Sequence, residues 1–199
     1  MQKNYERMLR SHKALGLPTF DVEEMIKCTA ALLDIERDWL RRKPWYSLYL
    51  RPVSISMDNR LGLDTVDKMM TFITVGPAGP YFPEGFKPVK ILGMKQMARS
   101  WPGGYGDKKL GGNYAPTMKT MRLGKAEEDC DTALWLLGNK VLEMGSLNMF
   151  MYWKNSNGED ELITPPLDGT ILPGITRDSI LNIAKSFKSF KVTERSFTI

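Results

Sequence analysis

From Gly76 to Pro88 the chain reads GPAGPYFPEGFKP, and no other stretch limits its architecture as strongly. Four prolines and three glycines fall within it. Each proline fixes φ and removes a backbone donor, while each glycine loosens the chain, so no regular element is expected there. The stretch is expected to be a linker, dividing the chain into residues 1–75, the linker 76–88 and residues 89–199. A length of 199 residues suits one large domain or two small ones.

Apolar periodicity fills in the two lobes. Tyr5, Met8, Leu9 and His12 recur at spacings of three and four, which predicts a helix with His12 on its surface. GLPTF interrupts it. Asp21, with Glu24 three residues on, is an Asp form of the capping box and predicts a second helix. Its apolar positions run from Val22 to Leu40, where RRKPWY ends it. WYSLYLRPVSIS and MMTFITV are rich in aromatic and branched residues and read as strands. Beyond the linker, VKILGM reads as a short strand, GGYGDKKLGGNY as a glycine-rich loop and APTMKTMRLGKAEE as a helix. ALWLLG and LNMFMYW read as buried strands, and Asn157–Gly158 is a strong hairpin signal. TRDSILNIAKSF predicts a helix with Thr176 as its N-cap, and FKVTERSFTI alternates like a final strand. The expected fold class is therefore α/β in the broad sense, a mixed α+β chain with two lobes and no internal repeat.

Composition narrows the function classes. Apolar residues make up 42% and charged residues 26%, the balance of a soluble globular protein. No segment is long and apolar enough to span a membrane, and MQKNYERMLRSHK lacks the apolar core of a secretion signal. Formal net charge is +5, but no basic stripe is interleaved with aromatics, so nucleic acid is not an expected partner. Cys28 and Cys130 are far apart and His12 is the single histidine, so no metal site is expected, and isolated cysteines suit a reducing compartment.

Three short stretches could carry chemistry. In GDKKLGGNY, Lys108 and Lys109 precede a glycine pair, and Tyr114 follows. A nucleophilic lysine needs desolvation or a neighbouring positive charge to lose its proton. Glycines admit a ligand close to the backbone, and a tyrosine could bond a ring oxygen. Spacing alone equally allows two solvated loop charges. LPGIT, at Leu172–Thr176, runs a turn into a helix start whose amides would suit a phosphate, or it is simply a helix start. In EMGSLN, Glu143 lies between apolar segments, where a carboxylate needs a partner. It could face a cationic nitrogen or sit in water at a strand edge.

The order of these pieces resembles the branched-chain amino acid aminotransferases, pyridoxal phosphate enzymes on the fold-type IV scaffold. The matching stretches are NYERMLRS, LPTFD, SLYLRPV, VGPAGPYFPEGF, ARSWPGGYGDKKLGGNYAPT, ALWLLG, EMGSLNMFMYW and ELITPPLDGTILPGITR, in family order over essentially the whole chain. The resemblance implies that Lys109 carries pyridoxal 5'-phosphate as a Schiff base and moves the substrate proton, with Lys108 at a variable position. It implies that Tyr114 bonds the cofactor's phenolic oxygen and Glu143 its pyridine nitrogen. Arg7 and the backbone of Ile175 and Thr176 would hold its phosphate, and Arg99 would lie close to it. Tyr49, Arg51 and Tyr81 would face the substrate. Leu61 and Leu63 would reach into a neighbouring subunit's pocket, which implies a homodimer. The implied reaction is reversible transfer of the amino group of leucine, isoleucine or valine to 2-oxoglutarate, in the cytosol or the mitochondrion.

Family members carry a substantial segment before NYERM and continue well past TERSFTI. The implied architecture is therefore an incomplete two-lobed, D-amino acid aminotransferase-like fold. Residues 1–75 would form the C-terminal part of the small domain and residues 89–199 the N-terminal part of the large, cofactor-binding domain. Such an outline exposes strand edges, which implies assembly with other chains there. It also leaves open an alternative, a catalytically impaired, truncated paralogue serving as a structural or complex subunit.

Overall fold

A computed structural model describes residues 1–62, 64–81, 85–127 and 129–199. The chain divides into two compact units, Met1–Lys87 and Pro88–Ile199.

The first unit begins with α1 (Gln2–Ala14) and α2 (Val22–Glu36). The expected cap is present: the Asp21 carboxylate accepts the Glu24 amide at 3.0 Å, leaving one fewer orphan donor in the first turn. Tyr5 and Thr29 join the two helices through a 2.5 Å hydroxyl pair, and Thr29 donates on to the Met25 carbonyl at 2.7 Å. His12 is not on the surface. It is 4% exposed, with Nδ1 2.7 Å from the Pro18 carbonyl and its ring edge-on to Phe20 at 5.0 Å. The GLPTF turn folds back over that face of α1 and buries it, an effect that helical spacing does not report. The second helix also stops before Leu40. Arg37–Trp39 form a 3-10 turn, leaving Trp39 and Leu40 exposed.

Strands β1 (Ser47–Ser56) and β2 (Met69–Ala78) pair antiparallel, with Ser47 opposite Ala78 and Ser56 opposite Met69. The first three residues of the proline-rich stretch, Gly76, Pro77 and Ala78, thus belong to a strand. A two-stranded ladder leaves each strand one open edge, where a proline's missing N–H removes no bond.

The second unit holds two sheets. The first has the order β3 (Ile91–Met94), β4 (Thr132–Leu137), β5 (Lys140–Met144), β6 (Leu147–Asn148). Its β3–β4 pair is parallel and the others antiparallel. Helix α3 (Ala115–Glu127) lies between β3 and β4 in sequence, as a parallel crossover requires. The other sheet has the order β7 (Met151–Lys154), β8 (Asp160–Thr164), β9 (Lys191–Glu194). Helix α4 (Ile175–Ser186) connects its parallel β8–β9 pair. LNMFMYW is consequently not one strand. It supplies β6 to one sheet and β7 to the other, and the chain leaves at Met149, whose carbonyl accepts the Thr164 hydroxyl at 2.7 Å. The Asn157–Gly158 signal falls in the β7–β8 hairpin, with Gly158 at φ +78°.

Met94, Ala133, Trp135, Leu142 and Ile171 form one core cluster, and Leu136, Val141, Ile163 and Phe197 another. Trp135 is fully buried and donates its indole N–H to the Gly145 carbonyl at 2.8 Å. Removing a ring of this kind costs about 3–5 kcal/mol, so Trp135 anchors the β4–β5 region on which the site is built.

Glu161, on β8, is a buried carboxylate with a full set of donors. It accepts from Trp153 Nε1 at 2.8 Å, Thr193 Oγ1 at 2.5 Å and Arg195 at 2.9 Å. The Arg195 hydrogen bond, then that of Thr193, pulls its pKa from 4.5 down to about 2. A folded-state value below the unfolded one contributes stability that is present above pH 4.5 and lost as pH falls toward 2. Denaturant unfolding measured across that window should show a steep acid limb, flattened in Glu161→Gln. Equal slopes in the two proteins would contradict this assignment.

Candidate active site

Three segments of the second unit, carrying Arg99, Asn148 and Leu172, converge on Glu143. The carboxylate lies near the end of β5, directly opposite Asn148 of β6. It is therefore part of a strand inside the sheet, and it is buried and not at a watery edge. Glu143 Oε2 accepts from Arg99 Nε at 2.9 Å, and both side chains are 3% exposed. Oε1 accepts from Asn148 Nδ2 at 2.8 Å and from the Leu172 amide at 2.9 Å. Burial pushes the Glu143 pKa from 4.5 up to about 7, against the opposing pull of Arg99, the Leu172 amide and Lys109. A carboxylate offers about four acceptor positions. These three bonds fill two on Oε1 and one on Oε2, leaving one position on Oε2 for a further donor.

Arg99 is held as firmly as Glu143. Its guanidinium donates to the carbonyls of Gly106 at 3.3 Å and Thr170 at 3.4 Å. Ser100 Oγ also donates to the Thr170 carbonyl. This tight crossing of segments 99–106 and 170–172 explains Gly106. A Cβ there would stand 2.5 Å from Ser100 Cβ and 2.6 Å from the Thr170 carbonyl oxygen.

The lysine loop leads away from this knot. Asn113 closes it by donating to the carbonyls of Tyr105 at 2.7 Å and Lys108 at 2.9 Å. The two lysines then differ. Lys108 is half-buried and ion-paired with Asp107. Lys109 is exposed, with Nζ 4.9 Å from the centre of the Tyr114 ring, and its charge is felt at Glu143. Tyr114 ends the 3-10 turn Gly111–Tyr114 that runs into α3.

Ile175 and Thr176 are the first two residues of α4. The N-cap is Gly174, not Thr176, and a glycine there supplies no side-chain cap hydrogen bond. The helix starts earlier than expected because the LPG turn is pinned from the other side: Leu172 bonds Glu143 and Asn148 through its amide and carbonyl. Its leading amides retain the positive end of the helix dipole.

Arg99, Lys109, Tyr114, Glu143, Ile175 and Thr176 thus lie in the second unit. Arg7, Tyr49, Arg51, Leu61 and Tyr81 lie in the first, and Leu63 falls outside the described residues. In the first unit Arg7 is half-buried on α1, and the Arg51 guanidinium stands 5.2 Å from the Tyr49 ring centre. Leu61 and Tyr81 are exposed. Asn148 and the Leu172 amide are the contributions that sequence reasoning missed. The available signal was the asparagine five residues after Glu143, which a tight hairpin turns back to face it. Among the described residues no group of three His, Cys, Asp or Glu could hold a metal ion, and no helix is long and apolar enough to cross a membrane.

A family model described as amino-transferase class IV matches residues 1–199. Over 198 residues the chain is 47% identical to the branched-chain-amino-acid aminotransferase of Dictyostelium discoideum, covering 99% of this chain and 52% of that protein. It is 44% identical over 199 residues to the cytosolic branched-chain-amino-acid aminotransferase of Mus musculus, covering 98% and 51%. The crystal structure of the branched-chain aminotransferase of Thermoproteus uzoniensis with norvaline matches with a TM-score of 0.79 at 26% identity, covering 99% of this chain and 62% of that one. The chain spans about half the length of the curated relatives it matches.

Proposed function

The chain belongs to the amino-transferase class IV family, and from that premise we propose that it acts in transferring the amino group of leucine, isoleucine or valine to 2-oxoglutarate with pyridoxal 5'-phosphate. The observation that carries this reading is the single acceptor position left on Glu143 Oε2, beside Arg99 and within the field of Lys109. A buried carboxylate with one open acceptor fits a protonated ring nitrogen, and the glycine-capped start of α4 fits a phosphate. The donor set therefore suits this cofactor, which when bound supplies an aldehyde that condenses with amines and a ring that withdraws electrons.

The residues divide the remaining work. Glu143 would hold a proton at the ring nitrogen, an anion facing a cation in a site closed to water. Arg99 would favour the ionised form of that carboxylate and orient it. Tyr114 would donate its hydroxyl hydrogen to the phenolic oxygen. Lys109 would anchor the aldehyde carbon and, once its amine is free, carry the proton at the substrate α-carbon. Its exposure gives it the reach such a transfer needs. In the first unit, Arg7 would complete the phosphate site, and Tyr49, Arg51 and Tyr81 would contact substrate. Leu61 and Leu63 would extend to a second copy in a homodimer. Residues 1–75 would belong to the small domain and residues 89–199 to the cofactor-binding domain.

The test is direct. The chain incubated with pyridoxal phosphate, leucine and 2-oxoglutarate should form glutamate and the leucine-derived 2-oxo acid in equal amounts. A chain that forms neither, with valine and isoleucine also inert, does not have this activity.

A further inference from the structure

Glu143 and the start of α4 are joined by one side chain to which the reading above gives no role toward the cofactor. Asn148 faces Glu143 across the β5–β6 ladder. Its amide nitrogen has two hydrogens and spends both, one on Glu143 Oε1 at 2.8 Å and one on the Leu172 carbonyl at 2.8 Å. Its carbonyl oxygen lies so close to the backbone of Gly174 that a Cβ on Gly174 would stand 2.0 Å away. Gly174 has φ −68°, an ordinary value for any residue, so glycine is required there for room alone and the room is taken by Asn148.

We propose that Asn148 is a positioning residue that decides which oxygen of Glu143 stays open, by tying the carboxylate to the Leu172–Gly174 turn. Together with the Leu172 amide it saturates Oε1, so the remaining acceptor is on Oε2, next to Arg99. The same amide fixes the turn from which α4 starts. The carboxylate assigned to the ring nitrogen and the helix end assigned to the phosphate are thereby held at one spacing. The part concerning the cofactor rests on the function proposed above; the part concerning Glu143 does not.

The discriminating experiment uses the whole chain as wild type, Asn148→Ala, Gly174→Ala and the double variant. Two quantities are read: the titration of the Glu143 carboxyl by carbon-13 NMR without cofactor, and the dissociation constant of pyridoxal phosphate by fluorescence. Arg99 and Lys109, the charges acting on Glu143, are unchanged throughout. Asn148→Ala removes a hydrogen bond to the ionised carboxylate, so the Glu143 titration should move to higher pH and cofactor binding should weaken about tenfold. Gly174→Ala should reproduce both changes by displacing Asn148, yet add nothing in the Asn148→Ala background, where the obstructing oxygen is gone. Thermal melts identify any variant that does not fold, and Asn148→Ala, which only removes atoms, then decides alone. An unmoved Glu143 titration in Asn148→Ala, or fully additive effects in the double variant, overturns the proposal. If cofactor binds but neither single variant changes the titration, the proposal fails and the function stands. If no cofactor binds and the titration still shifts, the function fails and the positioning role stands.

Discussion

Lys109→Ala should abolish the lysine-dependent visible absorption of added pyridoxal phosphate, whereas Lys108→Ala should leave it in place. The two side chains are adjacent in sequence and differ in circumstance. Lys108 is committed to an ion pair with Asp107. Lys109 projects over the Tyr114 ring, and its charge acts on Glu143. Borohydride treatment of the loaded chain should fix the cofactor to the peptide at Lys109, and mass spectrometry reads the position directly. Loss of the proton-transfer group alone should lower amino transfer by about 10²–10⁴, and loss of the covalent anchor lowers it further. Cofactor mass found on Lys108, or an unchanged absorption band in Lys109→Ala, would sink the assignment.

How far the sequence carried depended on whether the determining interaction was local. The Asp21 cap, the two strands of the first unit and the Asn157–Gly158 hairpin are set by neighbours in the chain, and the structure contains all three. His12 was misplaced because its burial comes from Pro18 and Phe20 folding back across α1. Thr176 was misplaced as a cap because the helix start is dictated by Leu172, which a strand 29 residues earlier in the chain holds at Glu143. The proline-rich stretch misled at its first three residues, since an edge strand tolerates proline. For the candidate site, Lys109, Tyr114 and Glu143 were named by the resemblance, and spacing alone did not separate Lys109 from Lys108. The ion pair with Asp107 and the hydrogen bonds of Asn113 give the two lysines different surroundings, and both depend on the folded loop. Asn148 was invisible because its two partners are brought to it by a hairpin and by a separate turn.

Glu143→Gln should cost about 3 kcal/mol of stability and abolish a pH trend, although it removes a charge that burial disfavours. The substitution is not a copy of the protonated acid. Oε1 faces two donors, Asn148 Nδ2 and the Leu172 amide, so the amide oxygen of glutamine must occupy that side. Its NH₂ then points at Arg99 Nε, donor against donor, inside a site where both side chains are 3% exposed. A carboxylic acid avoids this conflict, because its hydroxyl oxygen still accepts. The pH trend follows from the opposite sign to Glu161. Glu143 has a folded-state pKa of about 7, above its ordinary 4.5, so the folded chain binds more protons than the unfolded chain between those values. Its contribution to stability therefore falls as pH rises from 4.5 to about 7. Denaturant melts over that interval should show this decline in the wild-type chain and not in Glu143→Gln, in which no carboxyl titrates there. Cofactor binding should weaken in parallel, since an amide nitrogen offers no acceptor to a protonated ring nitrogen. Matching pH profiles in the two proteins would mean that Glu143 is already ionised on folding, and that Arg99 outweighs burial at the centre of the site.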